Sequence, residues 1–211
     1  MSSTEHPAEN MSRAQVRRRA HIVEAALKIF ERDGFEAARM IDIADEADVA
    51  KGTLYLYFEN KTALLEGVIQ TEILPTIAAI GEALEDFQGS AKDALVQQIE
   101  TTARRMASPS MKILLKLMIT AHHQNPEIAN FYYKNVLQPG LNIFQQTLEK
   151  GIEAGEFKPH VKEMHPVTLL GAHVFTGVWN ILFTGSEELD IDQLIEGFTR
   201  SMFEGMLVDA D

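Results

Sequence analysis

Apolar residues recur at steps of three and four along most of the chain, which is the spacing of a helix with one buried face. The first such stripe runs over residues 13–33 through Val16, Ala20, Val23, Leu27 and Phe30, and it is widened by Ile22, Ala26 and Ile29. Gly34 follows directly, and glycine commonly ends a helix because it adopts the left-handed conformation without strain. The sequence contains no convincing strand alternation, so the pattern predicts an all-α fold.

About nine helices are predicted, many of them bounded by turn residues or by a proline in the first turn. Their ranges are 13–33, 40–46, 51–57, 61–73, 91–106, 109–123, 127–153, 164–183 and 190–207. Pro75 is expected to kink or end the fourth helix, because proline cannot donate the helical hydrogen bond. For the same reason we expect Pro139-Gly140 to bend or interrupt the helix at 127–153.

The first three helices have the lengths of a helix-turn-helix: a long support, a short helix, a tight turn and a second short helix. The second short helix, at 51–57, is about 10 Å long, and an α-helix fits the major groove of B-DNA. Leu54 and Phe58 are four residues apart and are expected to face inward, together with Ile41 and Ala44 of the preceding helix.

The outward side of helix 51–57 carries the chemistry of groove recognition: a cation, hydroxyl groups, a methyl-rich side chain for thymine, and a glycine that admits close approach. These candidate DNA contacts are Lys51, Gly52, Thr53, Tyr55 and Leu56. At the far end of the helix, Tyr57 and Lys61 are candidate phosphate ligands. The cluster that contains Arg17 and Arg18 is either a further phosphate contact or a solvated helix face.

The formal net charge of −12 first argues against a nucleic-acid partner, but the acid is unevenly distributed. Residues 1–61 hold nine basic and eleven acidic residues, a charge of −2, whereas residues 62–211 hold ten and twenty, a charge of −10. A local basic face is sufficient to meet phosphate, because salt screens each field within roughly 8–10 Å.

The segment from about residue 15 to 65 resembles the DNA-binding domain of the TetR/AcrR family of transcriptional regulators. The matching residues are Ile22–Ala26, Phe30, Gly34, Phe35, Ile43, Ala44, Ala47, Val49, Lys51–Tyr55, Tyr57, Phe58, Lys61, Leu64 and Leu65. Two positions depart from the family pattern: Met40 stands where a capping threonine is frequent, and Ala50 where serine or asparagine is frequent. Arg39 is a candidate to bind the phosphate that a threonine at position 40 would contact.

The resemblance implies a ligand-responsive repressor that binds a palindromic operator of double-stranded DNA as a homodimer; an activator with the same DNA-binding domain remains an alternative. The first ten residues are polar and acidic and lack the basic start and the apolar stretch of a secretory signal, so we expect a cytoplasmic protein. We expect no cofactor. We predict a disordered tail over residues 1–12, a helix-turn-helix domain over 13–60, and a helical ligand-binding and dimerisation domain over 61–211.

The last two predicted helices, 164–183 and 190–207, are rich in small and apolar residues, and the first is apolar nearly all round. In the family such helices pair with their symmetry mates in a four-helix bundle, and Gly171 and Gly177 would permit close approach. The alternative is an ordinary core within one chain.

A small, apolar effector is the expected ligand of the C-terminal domain, because methionine and aromatic side chains form adaptable apolar sites. The candidate lining residues are Met106, Met111, Leu115, Met118, His122, Phe131, Tyr132, Phe144, Phe175 and Trp179. For each of these residues taken singly, core packing is favoured over a place in a pocket.

Other classes of function find little support. The chain has no cysteine, which excludes disulfides and thiolate chemistry, and no His-Glu-x-x-His pattern for a metal. We therefore expect no metal site and no enzyme, although a helical metal-dependent enzyme is the rival hypothesis, with a purely structural adaptor as a third. No uninterrupted apolar run approaches the roughly 20 residues of a membrane span, so no membrane partner is expected.

Overall fold

A computed structural model describes residues 11–85, 87–121, 125–183 and 189–207. The predicted tail over residues 1–12 lies almost entirely outside the described residues, as does the candidate ligand residue His122. The α-helices of the described residues are α1 (Arg13–Ala37), α2 (Met40–Glu46), α3 (Lys51–Tyr57), α4 (Lys61–Glu72), α5 (Leu74–Glu85), α6 (Ala91–Met106), α7 (Pro109–Ala121), α8 (Pro126–Tyr132), α9 (Gln138–Glu153), α10 (Val167–Leu182) and α11 (Ile191–Met206).

The all-α prediction is confirmed. Only Ile73 separates α4 from α5, and a π-helical turn, Tyr133–Leu137, joins α8 to α9. Taken as continuous runs, the helices of the described ranges number nine, as predicted. A 3-10 turn, Pro159–Glu163, and one isolated antiparallel bridge between Phe157 and Leu207 complete the secondary structure there.

Both predicted proline effects are present. α4 ends at Glu72, and Pro75 occupies the first turn of α5, where its missing N–H costs little. In the longer run, Pro139 cannot donate to the carbonyl four residues earlier, which belongs to Asn135 inside the π-helical turn. The wider π-helical turn therefore interrupts the α-helix just before Pro139, and the chain continues from there as α9.

The chain divides into two compact units, Met1–Thr71 and Glu72–Asp211. Most of α4, which the sequence assigned to the C-terminal domain, lies within the first unit. Its buried residues Leu64, Leu65 and Val68 belong to the hydrophobic core of that unit.

The face that α1 buries matches the predicted stripe from Ile22 onward and differs from it at the N-terminal end. Val16 is 52% exposed and Ala20 is also exposed, so the predicted stripe was wrong at its N-terminal end. The buried positions begin at Ile22 and continue through Ala26 and Ile29, as the wider part of the stripe predicts. Gly34 has φ +75° and ψ 170°, non-helical angles that kink α1 at the predicted stop, and the helix then resumes and ends at Ala37.

The second unit is built around α6, which packs against α9, α10 and α11. Its core includes Leu95, Ile99 and Phe144. A Cβ at Gly151 would lie 2.2 Å from the ring of Phe157, so glycine is required there for close packing.

The segment Lys61–Glu85 is long and apolar enough to cross a membrane by length and composition alone, with a mean hydropathy of 1.4. The core helix of a soluble protein passes the same test, and several residues of α4 are fully buried in the first unit. The segment is therefore weak evidence for a membrane span.

Candidate nucleic-acid interface and effector cavities

The turn of the helix-turn-helix covers residues 47–50. Ala47 N–H donates to the Ile43 carbonyl at 2.9 Å, and Val49 N–H donates to the Ala44 carbonyl at 3.0 Å. Asp48 between them has φ +46°, a left-handed conformation that aspartate tolerates better than most residues. These contacts end α2 and direct the chain into α3.

The inward side of the motif is largely as predicted, with one correction. Leu54, Phe58 and Ala44 are buried, but Ile41 is 37% exposed, and the prediction that it faces inward was wrong. Ile43 is fully buried in its place. Residues two apart on an α-helix point about 200° apart, so Ile41 and Ile43 cannot both face the core.

The outward side of α3 exposes Lys51, Gly52, Tyr55 and Leu56. Leu56 is 85% exposed, which places a large apolar side chain in solvent. A Cβ at Gly52 would meet nothing within 4 Å, so packing within the chain does not explain this glycine. The candidates Thr53 and Tyr57 are half-buried.

The arginines of the cluster in α1 differ in how exposed their side chains are. Arg19 donates to Gln70 Oε1 at 2.8 Å and stacks on the Phe58 ring at 5.1 Å, and its burial lowers its pKa. It therefore supports the packing of the unit. Arg17 and Arg18 are exposed and remain accessible to a phosphate.

Arg39 occupies the N-cap position of α2, whereas the sequence placed the missing cap at Met40. Its guanidinium donates to both carboxylate oxygens of Asp42, at 2.6 and 2.8 Å. This hydrogen bond with Arg39 lowers the pKa of the Asp42 carboxyl. A phosphate at Arg39 would have to compete with Asp42.

The Lys61 side chain makes several contacts within the protein, which a lysine free to bind phosphate would not make. Its ammonium donates to the carbonyls of Glu36 at 2.8 Å and Ala38 at 3.1 Å, and it lies 4.7 Å from the centre of the Phe35 ring. Burial lowers its pKa, opposed by the nearby charge of Glu36. Because two of its three N–H groups are engaged, at most one remains for DNA.

In the second unit, a cavity of about 80 Å³ is lined by four of the residues predicted for the effector site. They are Met106, Met111, Tyr132 and Phe144. Burial raises the pKa of the Tyr132 hydroxyl, and Arg105 opposes this effect. Arg105 also lines the cavity, and its Nε–H is buried without a hydrogen-bond partner.

Five other predicted lining residues border neither this cavity nor the larger one between α5 and α6; they are Leu115, Met118, Phe131, Phe175 and Trp179. Leu115 packs against α10 instead, where a Cβ at Gly177 would approach it to 2.5 Å. Phe175 is 58% exposed, which contradicts its assignment to a pocket.

The larger cavity, of about 410 Å³, lies between α5 and α6 and was not anticipated from the sequence. It shares Thr76 and Ile80 with the smaller cavity. Its most polar buried residue is Gln98, 4% exposed, within the buried face of α6 that includes Leu95 and Ile99. The sequence feature that could have indicated this cavity is a glutamine within the apolar face of α6.

One face of α10 is both apolar and uncovered. Its exposed side chains are Val167, Val174, Phe175 and Leu182. Gly171 lies on the same face and has nothing within 4 Å of a built Cβ, unlike Gly177, which serves packing within the chain. Within the described part of the chain, no group of three or more metal-ligating side chains is close enough to hold a metal ion.

Two family models match the chain, one over the helix-turn-helix and one over the C-terminal helices. The model of the tetR family of bacterial regulatory proteins matches residues 22–68, which include α2 and α3. The model of the tetracycline-repressor-like C-terminal domain matches residues 85–202, more than half of the chain. The chain belongs to the TetR family. It is a DNA-binding transcriptional regulator.

Individual relatives agree with this assignment. The HTH-type transcriptional regulator YfiR of Bacillus subtilis is 25% identical over 182 residues, covering 85% of this chain and 87% of YfiR. The repressor KstR of Mycobacterium tuberculosis is 46% identical over 61 residues, covering 29% of this chain and 28% of KstR. The crystal structure of FadR from Bacillus subtilis in complex with stearoyl-CoA has a TM-score of 0.71 at 24% identity, covering 88% of this chain and 95% of FadR.

Proposed function

We propose that this TetR-family regulator is a repressor that binds a palindromic operator as a homodimer and releases it when a small, largely apolar effector binds the second unit. The main support for binding of the operator through the helix-turn-helix is the outward face of α3. It presents Lys51, Tyr55 and the 85% exposed Leu56 on a helix short enough to enter a major groove.

The exposed apolar face of α10 supports the homodimer. Large contiguous apolar patches on a soluble protein usually mark an interface, and this one is free of charged residues from Val167 to Leu182. On α11, Gly197 and Gly205 are exposed with open space beside them, so a second helix can approach closely. A two-fold dimer matches the two-fold symmetry of a palindrome.

Two cavities of the second unit, the one between α5 and α6 and the one lined by Tyr132, support the effector. The larger volume, about 410 Å³, falls within the range of small-molecule sites. The FadR relative is described with stearoyl-CoA, which indicates that a chain with this fold can hold an acyl ligand. Repression is relieved only if the effector prefers the arrangement that does not bind DNA. We propose no enzymatic activity, and we place the regulator in the cytoplasm with its operator.

DNA binding is tested by selecting an operator from random duplexes and measuring affinity by gel shift. Lys51→Ala and Tyr57→Phe should each weaken operator binding several-fold to about tenfold, because each variant lacks one group that bonds to a base edge or a phosphate. The matched control is Lys162→Ala, which removes an exposed lysine from the second unit. Full affinity in both α3 variants would contradict our interface.

Lys61→Ala is a poor test of phosphate binding, because it also removes two hydrogen bonds to backbone carbonyls. Repression itself requires a reporter gene downstream of the selected operator. Deleting the regulator should raise expression, and a fall in expression would identify an activator.

A further inference from the structure

Helix α5 is largely apolar, yet it packs loosely within the second unit. Of residues 74–85, all of which the structure describes, only Leu84 is buried. Ile77 and Ile80 are half-buried, and both line cavities. Apolar side chains beside an open cavity lack the contacts of a packed core, so a ligand that fills the space would supply them.

A third cavity continues the space between α5 and α6 beyond the end of α5. Its volume is about 140 Å³, and it shares Leu84, Phe87 and Ala94 with the 410 Å³ cavity. The 410 Å³ cavity in turn shares Thr76 and Ile80 with the 80 Å³ cavity. The three cavities therefore follow one another, and they are called the small cavity (80 Å³), the middle cavity (410 Å³) and the end cavity (140 Å³).

The helices α6 and α9 line the cavities in the same spatial order. On α9, Gly140 lines the small cavity and Ala154 lines the end cavity. On α6 the order along the chain is reversed, with Met106 at the small cavity and Ala91 at the end cavity. At a rise of 1.5 Å per residue, each of these pairs spans about 20 Å. The space is therefore elongated and runs along α5, α6 and α9.

The two ends of this space differ in polarity. The small cavity is lined mostly by apolar side chains, among them Ile73, Met111 and Leu170. The lining of the end cavity includes Ser90 and the exposed Lys150. A hydrocarbon group gains free energy by leaving water for the small cavity, whereas a polar group would lose its hydrogen bonds to water there. The end cavity is the place for a polar group.

We propose that the effector is a linear amphipathic molecule that lies along α5, with its hydrocarbon chain in the small and middle cavities and its polar group in the end cavity. This proposal rests on the proposed function, because it takes the second unit as the effector-binding domain. It adds the shape and the orientation of the ligand. A single extended chain fills all three cavities and packs against Ile77 and Ile80, which a compact ring system does not.

The first experiment compares dodecanol with two probes that have the same number of carbon atoms. Cyclododecanol is a compact ring, and dodecanediol is linear with a hydroxyl at each end. The wild-type protein should bind dodecanol about tenfold more tightly than either, as measured by calorimetry or by the rise in Tm. The ring does not extend into the small cavity, and the diol would place its second hydroxyl among apolar side chains.

The second experiment locates the end of the chain with Gly140→Leu. Gly140 lines the small cavity, and a Cβ built there meets nothing within 4 Å, so a side chain at this position has room to occupy the cavity. The wild type should bind dodecanol roughly tenfold to a hundredfold more tightly than octanol, because the longer chain buries more methylene groups. Gly140→Leu should lose most of this preference and bind octanol as the wild type does.

Ala78→Leu is the matched control, since it adds the same side chain at an exposed position of α5 that lines none of the three cavities. It should retain the wild-type preference. If Gly140→Leu does not fold, as judged by circular dichroism, Ile77→Phe adds bulk at the small cavity and takes its place.

The proposal is overturned if the wild type binds the ring or the diol as tightly as dodecanol, if it binds none of the probes, or if the variant at the small cavity keeps the full preference for dodecanol over octanol. Operator binding without a probe is measured in parallel. Selective binding of dodecanol by a protein that binds no operator would contradict the proposed repressor and still support the linear ligand.

Discussion

Ala50 begins α3 at the N-cap position, and its methyl group cannot accept a hydrogen bond from the first turn. Its backbone is extended, with φ −59° and ψ 143°, which is the conformation that serine adopts at such a position. The seven-residue helix α3 is therefore stabilised by the packing of Leu54 and by the turn that precedes it.

Ala50→Ser should raise the free energy of unfolding by about 1 kcal/mol, because its hydroxyl oxygen can accept from a backbone N–H of the first turn. Urea unfolding followed by circular dichroism measures the change. Ala50→Val adds bulk without an acceptor and serves as the control. An equal gain in both variants would show that capping is not the cause.

His173 is fully buried in α10, with its ring 5.3 Å from that of Phe198 and neither ring nitrogen hydrogen-bonded. Burial lowers its pKa from 6.5 to about 4. Between these values the unfolded chain binds a proton that the folded protein does not, so stability is complete above pH 6.5 and falls as the pH drops towards 4. The loss at pH 4 amounts to about 3 kcal/mol.

His173→Leu should flatten this part of the pH profile and should also stabilise the protein at neutral pH, because it removes an unsatisfied polar ring. Urea unfolding at a series of pH values measures both effects. His160→Gln changes an exposed histidine and should retain the wild-type profile. If the His173→Leu profile is as steep as that of the wild type, other groups cause the acid sensitivity.

At the scale of the element, α10 has two different faces. The face that carries Leu169, His173 and Gly177 is buried within the unit, and the face that carries Val174 and Phe175 is not. The sequence of α10 is apolar nearly all round. Its hydrophobic periodicity therefore does not distinguish the buried face from the exposed face.

Phe175→Glu should convert the protein to a monomer at micromolar concentration, since the proposed dimer would have to bury an unpaired carboxylate. Sedimentation velocity measures the mass in solution. The control is Gln146→Glu, which adds the same charge at an exposed position of α9. A Phe175→Glu protein that remains a dimer would move the interface away from this face.

At the scale of the molecule, a net charge of −12 must coexist with DNA binding. The exposed cations Arg17 and Arg18 lie on α1 in the less acidic first unit. Each ion pair with a phosphate releases counterions, so the logarithm of the affinity falls with the logarithm of the salt concentration in proportion to the number of such pairs.

Arg17→Gln combined with Arg18→Gln should reduce that slope by about two units, because each arginine is expected to neutralise one phosphate. The slope comes from gel shifts of the selected operator at several salt concentrations. Arg200→Gln removes an exposed arginine of α11 and should leave it unchanged. An unchanged slope in the double variant would mean that Arg17 and Arg18 form a solvated face.

The sequence by itself determined the helices and the DNA-binding motif, because their signals are local. Ser90 and Asp190 cap α6 and α11 with side-chain hydrogen bonds, and Gly34, with φ +75°, supplies the kink in α1. Each signal acts within a few residues along the chain, so it can be identified without knowledge of the partners.

Only the tertiary structure decided which faces those helices bury. Ile43 rather than Ile41 faces the core, Lys61 donates to the carbonyls of Glu36 and Ala38, and the buried Gln98 side chain is hydrogen-bonded to Thr147 of α9. Each outcome depends on atoms that are distant in sequence. Burial and hydrogen-bond satisfaction are properties of the packed assembly of helices, and the pattern of a single helix does not contain them.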